Sequence, residues 1–270
     1  MKKIFSLVVI AILSLSMLLT GCGKKAEQTT EDNSLKEIKD KGKLVIGLDD
    51  GFPPMGFRGE NGQIVGFDID LAKEVGKKLG VEVEFKPIDW NAKEMELKTK
   101  KIDAIWNGMS VTPEREKNMA LSKPYLNNTQ AFVVKKDSTI KSIADMKGKK
   151  IGFQDKSSSQ EAFTADKNLS SSVASNQVYP KNKDVLVDLK VGRIDVALMD
   201  KVVSKYYLAK EKDQYVFLNE NLGEEAYAVG FRKGDVKLRD EVNKILDELK
   251  KNGTTSNISK TWFGEDIVVK

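Results

Sequence analysis

The sequence predicts an alternating α/β protein folded as two similar lobes, and three observations carry that expectation. Gly42-Lys43-Leu44-Val45-Ile46-Gly47 recurs loosely as Gly148-Lys149-Lys150-Ile151-Gly152, each a strand running into a turn. Leu97-Lys98-Thr99-Lys100-Lys101-Ile102-Asp103-Ala104-Ile105 recurs as Leu189-Lys190-Val191-Gly192-Arg193-Ile194-Asp195-Val196-Ala197, each a helix end followed by a buried strand. Between the first pair of strands, Asp68 to Leu79 places Leu71, Ala72, Val75, Gly76 and Leu79 on one helical stripe that suits packing on a sheet. Two units of mostly parallel sheet, each roughly 90 to 100 residues, make two lobes rather than one extended sheet.

Lys2 and Lys3 precede an apolar stretch from Ile4 to Leu19, which is short for a membrane span and suits a secretory leader. The stretch ends Leu19-Thr20-Gly21-Cys22, which resembles the lipobox of bacterial lipoproteins. That resemblance implies a signal peptide over residues 1–21 and a lipidated N-terminus at Cys22, whose diacyl chain would hold the protein on the outer face of the cell membrane. Residues 22–34 are polar, small and charged without an apolar period, as in a flexible tether.

The first lobe is expected over residues 35–127 together with 223–270, and the second over 128–222. The chain would cross between them at the polar turn Asn127-Asn128 and at Leu222-Gly223-Glu224-Glu225. Tyr227 to Phe231 reads as one strand. Leu238, Val242, Ile245, Leu246 and Leu249 form the stripe of an amphipathic helix that ends at Asn252-Gly253 and docks on the first lobe.

Composition removes several kinds of chemistry. The chain has no histidine, which excludes Ser-His-Asp and Cys-His nucleophilic sites and imidazole-bound metals. Cys22 is its only cysteine, so internal disulfides, Cys-rich zinc sites and iron–sulfur clusters are excluded too. No metal or cofactor is expected. The net charge of +5 falls to +3 without Lys2 and Lys3, and the lysines are interleaved with Asp and Glu, so no nucleic-acid partner is expected.

In open α/β sheets, ligands sit beyond the carboxyl ends of the strands. The segments that follow the expected strands are Asp49-Asp50-Gly51-Phe52, Asn107-Gly108-Met109-Ser110 continuing to Arg115, Lys156-Ser157-Ser158-Ser159, and Met199-Asp200. Acids, hydroxyls and one arginine are what a zwitterion needs: a guanidinium fork for a carboxylate and a carboxylate for an ammonium. Thr112-Pro113-Glu114 also reads as a helix start, with threonine as cap and proline at the first position. Ser157 to Ser159 opens another helix, whose free N–H groups would favour an anion.

Gly66-Phe67-Asp68-Ile69-Asp70-Leu71-Ala72, Ile102-Asp103-Ala104-Ile105, Ser110-Val111-Thr112-Pro113-Glu114-Arg115 and Gly192-Arg193-Ile194-Asp195 resemble, in order and spacing, the family 3 bacterial solute-binding proteins that serve amino-acid ABC importers. The resemblance covers residues 40 to 265. It implies the type II periplasmic-binding-protein fold, two lobes on a two-stranded hinge that close around one free amino acid. It also implies that Arg115 forks the α-carboxylate with help from Ser110 and Ser158. The α-ammonium would go to Asp200, the Gly108 carbonyl and Ser110. Phe52 and Trp90 would flank the side chain, with Asp49 facing its end. Lys156 departs from the glycine usual in that loop, and Asn107-Gly108 from a small hydroxyl pair. Trp90 and Glu94, four apart on an expected helix, would share a face, which makes Glu94 a further specificity residue.

The implied role is capture of a polar amino acid, leaning to a basic or amide side chain, by a monomer that delivers it to a transmembrane permease. Two other readings use the same fold. One is a cyclohexadienyl dehydratase with a carboxylate as general acid. The other is a ligand-sensing module that signals to a different partner.

Overall fold

The computed structural model describes residues 31–211 and 213–270. The expected signal peptide, Cys22 and most of the expected tether lie outside the described residues.

The first lobe opens with α1 (Ser34–Lys41), β1 (Lys43–Leu48), the short strands β2 (Gly51–Phe52), β3 (Gly56–Arg58) and β4 (Ile64–Val65), and α2 (Phe67–Leu79). It continues through β5 (Glu82–Pro87), a 3-10 turn (Trp90–Ala92), α3 (Lys93–Lys98), β6 (Ala104–Ile105), α4 (Pro113–Asn118) and β7 (Met119–Leu121). A long strand, β8 (Leu126–Lys135), leads to the second lobe, which holds β9 (Lys150–Gln154), α5 (Ser158–Ala165), α6 (Lys167–Ser172), β10 (Ser175–Tyr179), α7 (Asn182–Val191), β11 (Val196–Asp200) and α8 (Lys201–Lys210). The long β12 (Tyr215–Tyr227) returns to β13 (Gly230–Arg232), α9 (Val236–Lys251) and α10 (Thr254–Phe263).

Among the described residues, the two main sheets have five strands each, in the orders β5-β1-β6-β13-β7 and β10-β9-β11-β8-β12. In each sheet four strands run in one direction and one, β13 or β8, runs antiparallel to its two neighbours. The sequence echo has a physical cause. A Cβ on Gly47 would lie 2.5 Å from Ile102 Cδ1, and one on Gly152 would lie 2.6 Å from Ile194 Cδ1, so each glycine lets an isoleucine lie across its strand. The next residue, Asp103 or Asp195, accepts the N–H of Val45 or Lys150 at 2.9 or 2.8 Å. Each Gly/Ile-Asp set thus fixes one parallel crossover.

The five stripe residues of α2 and the five of α9 are all buried, and each leucine-sized side chain so buried contributes roughly 1.5–3 kcal/mol. α9 lies on the first lobe: Leu238 N donates to Ser34 Oγ at 3.1 Å, and Lys123 N to Asn243 Oδ1 at 2.7 Å. Phe132, Val134, Ile151, Phe153, Phe163, Val196 and Leu198 form a core of the second lobe.

Three boundaries differ from the sequence expectation. Ser34 is already the buried first residue of α1, with its N–H on Asp32 Oδ1 at 2.9 Å, so the chain is fixed before the expected end of the tether. Asn127-Asn128 is not a turn but part of β8, where Asn127 faces Ala226 and Asn128 faces Glu225 on β12, forming a two-stranded hinge. Tyr227 to Phe231 is not one strand: Tyr227 closes β12 in the hinge, whereas Gly230 to Arg232 pair with β6 and β7 in the first-lobe sheet. The apolar run is continuous, but the strand changes partners within it.

Candidate functional site

The carboxyl ends of β1, β6, β9 and β11 meet in one cavity between the lobes. Asp49, Phe52, Trp90, Asn107, Gly108, Arg115, Gln154, Ser157, Ser158 and Asp200 line it. The lobes are closed over it, leaving about 10 Å³, about the space one water needs. Asp49 and Gln154, Ser110 and Ser158, and Lys93 and the Lys156 carbonyl all bond across the cleft.

Thr112 caps α4 by accepting Arg115 N at 3.3 Å, with Pro113 at the first helical position. This start sets Arg115 facing inward, where it is only 2% exposed. Its Nη1 donates to the Ser110 carbonyl at 2.8 Å. Nε and Nη2 are buried without a hydrogen bond, although Glu161 Oε1 of the second lobe stands 3.3 Å from Nη2. A guanidinium edge with two adjacent N–H donors that make no hydrogen bond is the fork that a carboxylate fits. Lys93, packed 4.9 Å over the Trp90 ring, adds a second cation nearby. Burial, reinforced by Arg115, lowers its pKa to about 8.

A buried acid lines the same cavity. Asp200, 3% exposed, accepts at Oδ1 from Asn128 Nδ2 at 2.6 Å, Gln130 Nε2 at 3.1 Å and Tyr227 OH at 2.8 Å. Burial and then the neighbouring Glu225 carboxylate hold it well above the usual carboxylate range. Ser110 Oγ lies 2.9 Å from Ser158 Oγ and donates to Glu225 Oε1 at 2.6 Å.

The remaining expected residues have local partners. Ser157 caps α5, accepting Gln160 N at 3.2 Å and donating to the Gln154 carbonyl at 2.7 Å. Ser159 does not line the cavity; it donates to Gln130 Oε1 at 2.6 Å and so turns the Gln130 NH₂ toward Asp200. Asn107 Oδ1 accepts Asp49 N at 2.9 Å, bracing the end of β1. Gly108 has φ +57°, and a Cβ there would lie 2.8 Å from Phe52 Cε1, so glycine suits both the turn and the fit against the ring. Lys156 occupies the left-handed region at φ 49°, keeping the conformation a glycine would take, at a cost of about 1 kcal/mol.

Glu94 does not face the cavity. A 3-10 turn at Trp90–Ala92 precedes α3, so Lys93 is buried beside Trp90, while Glu94 is exposed in the outer groove, 3.5 Å from Asn118 Nδ2. Asp49 is 2% exposed and already compensated by the second lobe: Gln154 Nε2 donates to its Oδ2 at 2.8 Å, and Lys181 Nζ stands 3.6 Å from its Oδ1. Burial raises its pKa against these partners.

Sequence reasoning missed Asn128, Gln130, Gln154, Lys181, Glu225 and Lys93. The available signal was a polar residue inside a strand otherwise built to be buried, as with Gln130 beside Ala131-Phe132-Val133 and Gln154 after Phe153. Asp68, fully buried beneath the site, accepts Gly108 N at 2.6 Å and fixes that turn. Burial pushes its pKa up to about 7. Its folded value exceeds the unfolded one, so its contribution to stability is present below about pH 4 and is lost as pH rises through about 7. Asp68→Asn keeps an acceptor for Gly108 without the charge. In thermal melts across pH, the variant should gain on wild type between about pH 4 and 7, by up to roughly 4 kcal/mol.

A model of the bacterial extracellular solute-binding proteins, family 3, matches residues 44–265. The chain belongs to this family. Among curated family 3 relatives, the arginine-binding extracellular protein ArtP of Bacillus subtilis (strain 168) is 34% identical over 266 residues, covering 97% of this chain and 98% of ArtP. The L-cystine-binding protein TcyJ of Escherichia coli (strain K12) is 30% identical over 259 residues, covering 95% of this chain and 96% of TcyJ. A crystal structure of an ABC uptake transporter substrate-binding protein from Streptococcus pneumoniae with bound histidine superposes with a TM-score of 0.87 at 41% identity. The match covers 90% of this chain and all of that one. The fold is therefore the type II periplasmic-binding-protein fold that the motifs implied.

Proposed function

We propose that this family 3 protein captures one free polar amino acid between its lobes, leaning to a basic or amide side chain, and delivers it to the permease of an ABC importer. The observation that carries the reading is the pairing of a guanidinium and a buried acid in the cavity lining. The buried Arg115 edge, with Nε and Nη2 lacking hydrogen bonds, and the buried carboxyl of Asp200 line the same cavity. That pair of groups matches the α-carboxylate and α-ammonium of an amino acid. Phe52 and Trp90 offer flat walls to a side chain whose end would meet Asp49, Asn107 and Gln154. Similarity to proteins named for binding arginine, cystine and histidine supports the same class.

Ligand held by one lobe would give the other lobe partners, so binding shifts the open–closed equilibrium toward the closed form that a permease reads. A micromolar dissociation constant requires only about −8 kcal/mol. Lipidation at Cys22 would keep the monomer beside that permease on the outer face of the membrane. No step of this cycle is covalent, and the protein acts as a carrier rather than a dehydratase or a sensor.

A thermal-shift panel with each proteinogenic amino acid and cystine at about 1 mM tests the proposal. Ligand at a hundred times its dissociation constant stabilises by about 2.7 kcal/mol, a rise of a few degrees. A rise with one or a few polar amino acids is expected, with prephenate left unconverted by the same preparation. A flat panel would overturn the reading.

A further inference from the structure

We propose that Glu225 is a second ligand-binding carboxylate, which receives the amino acid's α-ammonium together with Asp200 and so ties capture to the hinge itself. This rests on the amino-acid reading above and adds a residue to it.

Glu225 belongs to neither lobe's sheet end. It sits on β12 opposite Asn128 of β8, inside the two-stranded hinge. Its Oε1 accepts from Ser110 Oγ of the first lobe at 2.6 Å, from Asn128 Nδ2 at 2.6 Å and from Gln130 Nε2 at 2.8 Å. Asp200 Oδ1 takes the same two amide nitrogens, at 2.6 and 3.1 Å. Two carboxylate oxygens on one pair of donors are neighbours, and neighbouring carboxylates need a proton or a cation between them.

An ammonium brings three N–H donors and no acceptor, the complement of such a pair. A second observation points to a ligand here independently. Arg115, 2% exposed, lines the same cavity as Asp200 and the same outer groove as Glu225; its Nε and Nη2 make no hydrogen bond, and Nη2 has only the Glu161 carboxylate at 3.3 Å, so a donor for one end of a zwitterion stands beside the acceptors for the other. The charged and titratable groups nearest Glu225 are Asp200 of β11 and Tyr227 of its own strand. One groove that it lines adds Glu224, Lys201, Lys205, Tyr206, Lys210, Glu265, Asp266 and Lys270, and the other adds Arg115, Lys93, Glu94, Glu114, Lys156, Glu161 and Lys167. The backbone at Ser110 and Val111 pairs with Tyr227 and Ala226 of β12, which anchors Glu225 at the first-lobe end of the hinge, whereas Asp200 closes β11 of the second lobe, so an ammonium held by Glu225 and Asp200 would resist opening.

Burial and the neighbouring Glu225 charge favour the protonated form of Asp200 in the free protein, and the bound cation should displace that proton, so capture should release a fraction of a proton. Calorimetric titration of the purified protein with L-arginine, L-histidine, L-glutamine, L-cystine and then the other proteinogenic amino acids, in two buffers of different ionisation enthalpy, reads affinity and proton release together. Glu225→Gln keeps acceptors for Ser110 and the amides but not the charge. It is expected to weaken the amino acid that wild type binds roughly tenfold or more and to diminish the released proton. Glu225→Asp should restore part of both. Glu225→Gln binding within twofold of wild type with unchanged proton release would make Glu225 a hinge residue only, and would leave the amino-acid reading intact. Failure of wild type to bind any of these amino acids would remove both.

Discussion

Arg115→Ala is expected to lose affinity for the captured amino acid by roughly thirtyfold to a few thousandfold, equivalent to about 2 to 5 kcal/mol. The size follows from burial. The guanidinium is 2% exposed and holds the Ser110 carbonyl through Nη1, leaving Nε and Nη2 as the buried donors that face the cavity. Removing them leaves a ligand carboxylate desolvated without a fork. Arg115→Lys should recover little, since an ammonium offers a point charge in place of two parallel N–H bonds. Titration calorimetry checks both variants. Binding by Arg115→Ala within twofold of wild type would mean that the carboxylate is held elsewhere.

Asp200→Asn separates recognition from folding. The variant keeps an acceptor for Asn128, Gln130 and Tyr227 but removes the charge that would meet the α-ammonium, so affinity should fall at least roughly tenfold. Stability should move the other way. The folded pKa of Asp200 lies above its unfolded value, so its favourable contribution is complete below about pH 4 and is lost as pH rises through the folded value. Melts of the unliganded variant should therefore overtake wild type as pH increases from about 4. A variant that loses affinity and stability together at neutral pH would point to a structural role for the carboxylate.

The two-lobe pattern was legible because two short motifs each recur in the same order. A strand glycine and a later Ile-Asp pair build each crossover, through Gly47, Ile102 and Asp103 and again through Gly152, Ile194 and Asp195. The hinge was harder to read. Asn127-Asn128 has the composition of a turn, yet cross-strand pairing with Glu225 and Ala226 keeps it extended. Likewise, the run from Tyr227 to Phe231 gives no sign that its pairing partner changes.

The strand-end residues of the site were legible because loops after parallel strands are free to carry polar groups. Glu94 was misplaced because four-residue spacing assumes an α-helix, and the chain takes a 3-10 turn at Trp90. Residues whose roles depend on lobe closure left no pattern. Gln154 and Lys181 meet Asp49 only across the cleft, and Glu225 meets Asp200 only where the hinge strand runs beside the end of β11.

The most direct measurement is calorimetric titration of the amino acid that gives the largest thermal shift, beside its N-acetyl and carboxamide derivatives. One molecule bound per chain is expected, with each derivative weaker by roughly a hundredfold, since each leaves a buried charge of the cavity without its partner. Equal binding of either derivative would contradict capture of a zwitterion between Arg115 and the Asp200 end of the cleft.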